Sequence, residues 1–305
     1  MLERIAGNRE LKQDLKTALG SGRIAHSILL VGEPGCGAGF AARCLAADYL
    51  YPAGGPHAEA VLKKEDTECL VLQGEGASGQ IPVKKVREAR EAIQRSALST
   101  DAAGRVLFIY GAQNLNGSSA NAMLKIIEEP PEGVLFLLTA TSAATVLPTI
   151  RSRCAAYTIA PVPAADCAAR LKAERLPAKA AEELAFLYEG HIGTALKSWN
   201  DPTAKAALGM AKTLCGYAAQ GDTYRALALL TKYERDKDGF AALLWTLDQL
   251  CSAVLRRPAY GQEQCGGLTP AGAAKILNAD ARARKSLTGN GNLRLNVAVL
   301  AGEIA

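Results

Sequence analysis

Residues 27–51 constrain this chain more than any other stretch. Ser27-Ile28-Leu29-Leu30-Val31 is apolar after its first residue, the pattern of a strand buried on both faces. It passes at once into Gly32-Glu33-Pro34-Gly35-Cys36-Gly37-Ala38-Gly39, and Phe40 to Tyr51 reads as helix. Strand, glycine-rich turn and helix in succession form the frame of a phosphate-binding loop, whose backbone N–H groups cradle an anion at a helix start. A working loop reads G-x-x-x-x-G-K-[ST]. Gly32 and Gly37 hold the glycine positions, but Ala38 stands at the lysine and Gly39 at the hydroxyl. Neither can neutralise outer phosphates or hold Mg²⁺.

Further apolar runs at Cys69 to Gln73, Arg105 to Tyr110, Val134 to Thr139 and Ala155 to Ile159 predict four more strands. Helical patterns separate them. Asn8 is placed to cap a helix over 8–20 with Leu11, Leu15 and Leu19 on one face. Pro82 to Leu98 is amphipathic, with Val83, Val86 and Ile93 at helical spacing, and a helix over Gly117 to Glu128 is stopped by Pro130-Pro131. Residues 52–68 read as a polar, irregular insert. Alternating helices and apolar strands imply a parallel sheet covered on both faces. Pro161 and Pro163 mark a boundary beyond which only helices are expected. The expected division is an α/β domain over 1–160, a small helical lid over 161–201 and a helical domain over 202–305. In the last, Phe240, Leu243, Leu244, Leu247, Leu250, Cys251 and Val254 form one stripe.

A nucleotide hydrolase of this type ends a second strand in an acidic pair that organises Mg²⁺ and polarises water. Here that strand runs into Tyr110 and Gly111. Losing lysine, hydroxyl and both acids together removes several contributions, each about 10²-fold or more in rate, so no hydrolysis by this chain alone is expected. With 49% apolar residues, the 305-residue chain can bury a large core. Its net charge of +5 is too mild to indicate nucleic acid, and 5% aromatic content argues against a base-stacking platform. The eight cysteines include no C-x-x-C pair, so neither disulfides nor a zinc site is expected. Met1-Leu2-Glu3-Arg4 lacks the apolar core of a signal peptide, and no run of about 18 apolar residues exists. A cytoplasmic chain is expected.

Asn121-Ala122-Met123-Leu124-Lys125-Ile126-Ile127-Glu128-Glu129-Pro130-Pro131 resembles the N-A-L-L-K-x-x-E-E-P-P run of bacterial clamp-loader subunits. Ser152-Arg153-Cys154 matches their Ser-Arg-Cys motif, Ala25-His26-Ser27 their entry to the phosphate loop, and Asn292-Leu293-Arg294-Leu295 their last-helix signature. With a ruined loop and an intact Ser-Arg-Cys, the resemblance is to the delta-prime family of the DNA polymerase III clamp loader. It implies an AAA+ type P-loop domain followed by two all-helical domains, the second a collar. It also implies gamma/tau and delta subunits as partners, and the sliding clamp and primer–template DNA through the complex. In such assemblies the Arg of Ser-Arg-Cys reaches a neighbour's γ-phosphate, so the resemblance assigns Arg153 a role in trans, with Ser152 and Cys154 as its motif neighbours. The bland alternative is a surface arginine in an ion pair.

Other candidates carry less. Gly32, Gly35 and Gly37 offer N–H groups for weak anion or nucleotide binding, or form a structural turn. Cys36 is either activated by the helix start or a space-filler. His26 borders an adenine pocket or is a hydrogen-bonded residue at the strand entrance. Active relatives place a nucleotide-sensing arginine near Gly193-Thr194-Ala195-Leu196, and none stands there. Arg151, two residues from Arg153 in a segment expected to be extended, receives no role. Two other readings stay open: a working NTPase with Lys84, Lys85 or Lys125 replacing the loop lysine, and an inactive ATPase-fold adaptor of another assembly.

Overall fold

The computed structural model describes residues 1–76, 79–94, 99–289 and 291–304. They form two compact units, Met1–Ala178 with Glu189–Thr194, and Lys179–Tyr188 with Ala195–Ala305.

The first unit is built on the apolar runs. In chain order it contains α1 (Arg9–Gly20), β1 (Ser27–Val31), α2 (Ala38–Leu50), α3 (Pro56–Lys63), β2 (Cys69–Gln73), α4 (Val83–Ile93), β3 (Arg105–Tyr110), α5 (Gly117–Glu128), β4 (Val134–Ala140), α6 (Pro148–Arg151), β5 (Ala155–Thr158) and α7 (Ala164–Ala173). The strands make one parallel sheet in the order β2-β3-β4-β1-β5. Period-two alternation divides its side chains between two cores. Ile28, Leu30, Val106, Phe108, Leu135 and Leu137 pack with α1, α2 and α3. Leu29, Val31, Leu107, Ile109, Phe136 and Leu138 pack with α4, α5 and α6. A sheet covered on both faces explains why its central strands read as unbroken apolar runs. It is the parallel sheet, covered on both faces by helices, that the apolar runs imply.

Several local expectations need correction. The insert 52–68 is not irregular throughout. Pro56 sits at the first turn of α3, where a missing N–H costs nothing, and Ala58 and Val61 are buried. Asn8 holds the N-cap position of α1, its O accepting from Lys12 N–H at 3.1 Å, but its side chain does not cap the helix. Its backbone is left-handed, and its side chain exchanges hydrogen bonds with the backbone of Ala160 at 3.2 and 3.0 Å. The described helix α4 ends at Ile93, and the expected continuation over 95–98 lies outside the described residues. The stretch before Ser152 is not extended, because α6 starts on Pro148 and makes a helical turn.

The second unit is helical. Together with α8 (Ala178–Leu187) and α9 (Ile192–Asn200), each of which begins in the first unit, it comprises α10 (Pro202–Gln220), α11 (Thr223–Leu230), α12 (Lys237–Arg256), α13 (Pro258–Gln264), α14 (Pro270–Thr288) and α15 (Leu293–Ile304). Helix α13 ends at Gln264, ahead of Gly266 and Gly267. Gly261 lies inside α13, where Leu268 crosses so closely that a Cβ would fall 2.0 Å from its carbonyl oxygen. The stripe from Phe240 to Val254 is fully buried, with α12 packed against α10 and α14. No described helix is long and apolar enough to cross a membrane.

Candidate functional site

Gly32, Gly35 and Gly37 come together at the C-terminal end of β1, where the chain turns into α2. Gly32 N–H continues the β1–β4 ladder by donating to Ala140 O at 3.0 Å. Gly35 (φ +93°) and Gly37 (φ +98°) take left-handed backbone that glycine adopts without strain, and Gly37 O accepts from Ala41 N–H at 2.8 Å to start the helix. The loop therefore has the shape of a phosphate cradle. A cleft of about 380 Å³ opens over it, lined by Gly32 to Gly35, Gly37 to Phe40, Arg43, Gly111, Gln113, Thr139 to Thr141 and Gly193.

Side chains of the wrong kind surround that cleft. Ala38 puts a methyl at the lysine position. A Cβ on Gly39 would stand 3.3 Å from the Tyr110 ring, so the tyrosine that replaces the acidic pair leans over the place of the missing hydroxyl. The ring stacks on Phe108, with centroids 5.5 Å apart and planes 8° from parallel. Burial pushes the Tyr110 phenol upward, while a hydrogen bond from the Arg43 guanidinium opposes the rise. Glu33 is the one carboxylate among the described lining residues, and it points to His191, 3.1 Å from its Nε2.

The segment before α9 then closes on the loop. Gly193 N–H donates to Gly35 O at 2.8 Å. Thr194 packs so tightly that a Cβ on Gly35 would fall 2.0 Å from its Oγ. Backbone and a threonine side chain thus hold the loop at Gly193-Thr194, where the expected nucleotide-sensing arginine is missing from the sequence. Cys36 packs into the core on the α2 side of the sheet, and burial and the Glu33 charge push its thiol up. Lys84 pairs with Glu88, Lys85 with Glu75, and Lys125 lines a different groove. None of the three lines the cleft. His26 Nε2 lies 3.1 Å from Ile127 O, the hydrogen-bonded alternative of its two readings. A carbonyl only accepts, so Nε2 carries the proton.

Arg153 is not part of this cleft. It follows α6, and its side chain is 39% exposed. Nη2 is 2.6 Å from Glu128 Oε1, and Nη1 donates to Thr149 O at 3.1 Å and to Ser152 Oγ at 3.4 Å. The isolated chain therefore shows the surface ion pair of the bland reading. Ser152 bonds back to Thr149 O. Cys154 packs against the sheet core, and burial pushes its thiol up to about 11. Arg151 turns to Ala143 O.

Sequence reading missed the groove between α4 and α5. It is lined by Val83, Val86, Arg87, Arg90, Ser118, Asn121, Ala122 and Lys125, with a volume of about 380 Å³. The signal was the i, i+3 pair Arg87 and Arg90 on the face of α4 that meets α5. Among the described residues, no three His, Cys, Asp or Glu side chains are grouped to hold a metal ion.

Comparison with known proteins finds relatives among DNA polymerase III subunits. Residues 7–163, just over half of the chain, match the family described as DNA polymerase III, delta subunit. The DNA polymerase III subunit delta' of Escherichia coli is 29% identical over 210 residues, covering 68% of this chain and 57% of that protein. The delta' of Pseudomonas aeruginosa is 32% identical over 199 residues, covering 58% and 56%. The gamma/tau subunit of Mycobacterium tuberculosis is 34% identical over 155 residues, covering 49% of this chain and 27% of that one. The matches thus span from about a quarter to just over half of these relatives. A Thermotoga maritima protein related to the polymerase III gamma subunit has the same fold, with a TM-score of 0.51 and 16% identity over 95% of this chain and 99% of that one.

Proposed function

The chain belongs to the DNA polymerase III delta-subunit family, and from that premise we propose that it is a non-hydrolysing clamp-loader subunit of the delta-prime type that lends Arg153 to the ATP of a neighbouring motor subunit. One observation carries the reading. The chain keeps a phosphate-loop frame stripped of lysine, hydroxyl and acids, while the guanidinium of its Ser-Arg-Cys motif stands at the surface, 39% exposed.

The chemistry follows from charge placement. Phosphoryl transfer spreads negative charge over the transferring group, and an arginine delivered from a neighbour stabilises it without a nucleotide of its own. In this chain Tyr110 and Arg43 fill the space of the metal-organising groups, and Gly193 and Thr194 pin the loop from the other side. Such a subunit serves as a rigid member of the assembly. Residues 161–201 act as lid, and 202–305 as the collar that joins it to gamma/tau and delta subunits. The groove carrying Arg87, Arg90 and Lys125 suits the phosphates of primer–template DNA, which position a protein without reading sequence. The sliding clamp and DNA are met through the complex, in the cytoplasm, and the chain itself uses neither zinc nor bound ATP.

Calorimetric titration of the isolated chain with Mg-ATP tests the emptied site. No saturable heat is expected up to about 1 mM nucleotide, the scale of a contact worth about 4 kcal/mol. Micromolar, metal-dependent binding would favour a working NTPase instead.

A further inference from the structure

Two of the motifs in this chain meet at one ion pair. Glu128 ends α5 and belongs to the run Asn121 to Pro131, to which nothing above gives work. Its carboxylate holds Nη2 of Arg153 at 2.6 Å. A third motif supports it from behind. His26, 101 residues earlier, bonds the carbonyl of Ile127, the residue next to Glu128, at 3.1 Å. His26 O also accepts from Phe136 N–H at 2.8 Å, which ties the bracket to β4.

We infer that Glu128 is the positioning residue for Arg153, fixing its guanidinium at the surface from the last turn of α5, with His26 fixing that turn. The inference rests on the trans role proposed above. Three acceptors, Glu128 Oε1, Thr149 O and Ser152 Oγ, occupy three of the five guanidinium N–H groups. They orient the plane and leave the remaining donors for an incoming phosphate. A long side chain already held has lost the rotamer freedom it would otherwise lose on docking. Catalytic geometry tolerates little misplacement, so this prior ordering shows in the rate of transfer rather than in nucleotide affinity.

The test is ATP turnover by the complex reconstituted from motor subunits, sliding clamp and primed DNA with wild-type chain or with Glu128→Ala, Glu128→Gln, Arg153→Ala and the Glu128→Ala/Arg153→Ala double variant. Glu128→Ala is expected to lower kcat about threefold to fivefold, the scale of an exposed ion pair, with KM for ATP unchanged. Glu128→Gln, which keeps an acceptor oxygen, recovers part of the loss. In the Arg153→Ala background, Glu128→Ala adds nothing. If Arg153→Ala is slow but Glu128→Ala matches or exceeds wild type, Glu128 does not position the arginine and the inference falls while the trans role stands. Equal losses from Glu128→Ala with and without Arg153 make its effect merely structural and overturn the inference as well. Wild-type turnover by Arg153→Ala removes the trans role and the inference with it.

Discussion

Replacing Asp280 with asparagine should stabilise the helical unit at neutral pH. Asp280 is 2% exposed on α14. Burial pushes its carboxyl from an ordinary 3.8 to about 6. The Arg284 guanidinium, 2.5 Å from Oδ2, pulls the other way, and the Asp248 charge adds to the rise. Between these two values the folded chain binds more protons than the unfolded one. Stability is therefore fullest below pH 3.8, falls as the pH rises to about 6, and does not return above it. An interval of about two units at 1.36 kcal/mol each sets the cost of the buried charge near 3 kcal/mol. Asparagine keeps the volume and cannot ionise. The loss of the Arg284 attraction is already contained in that interval, but the asparagine amide adds a buried N–H where Asp280 Oδ1 has no hydrogen-bond partner, a cost of about 1 kcal/mol. The net gain at pH 7.5 is about 2 kcal/mol, and it disappears at about pH 4. Urea unfolding of both proteins at each pH, followed by helical circular dichroism, measures the difference. An asparagine variant less stable at pH 7.5, or a difference independent of pH, would refute the reasoning.

Two further substitutions probe the loop. Gly35→Ala meets both a left-handed backbone and Thr194 Oγ at 2.0 Å, and should cost about 2 kcal/mol or more in thermal or urea unfolding. Adding Thr194→Gly should recover only the steric share, and full recovery would show that the backbone is not strained. Restoring the consensus with Ala38→Lys and Gly39→Thr should not give Mg-ATP hydrolysis, because the threonine meets the Tyr110 ring, 3.3 Å from a Cβ at position 39, and no acidic pair follows β3. Measurable phosphate release by that variant, at a rate above buffer, would mean the cleft is less altered than its geometry shows.

The sheet was legible because each strand is a compact apolar run and a parallel sheet buries both faces. The boundaries of β1, β2 and β3 agree with the sequence reading to the residue. Local chemistry misled where one residue type has two uses. Pro56 lies in a stretch read as irregular but starts α3, Asn8 holds the expected cap position but spends its side chain on Ala160, and Pro148 starts a helical turn where an extended segment was expected. The emptied loop was visible in Ala38, Gly39 and Tyr110. What holds it was not. Gly193 reaches Gly35 and His191 reaches Glu33 across more than 150 residues, and a single sequence does not encode such pairings in any period or spacing. The same holds for Glu128 and Arg153, which read as separate motifs and meet only in the fold.

The central claim is that a chain with no working nucleotide site supplies the cation for another subunit's reaction. Its most direct test is ATP turnover at the motor site adjoining this chain, with every other motor site inactivated, comparing wild type with Arg153→Ala. The account predicts a fall of at least about 100-fold at that site with assembly intact. Turnover equal to wild type in an intact assembly would contradict it.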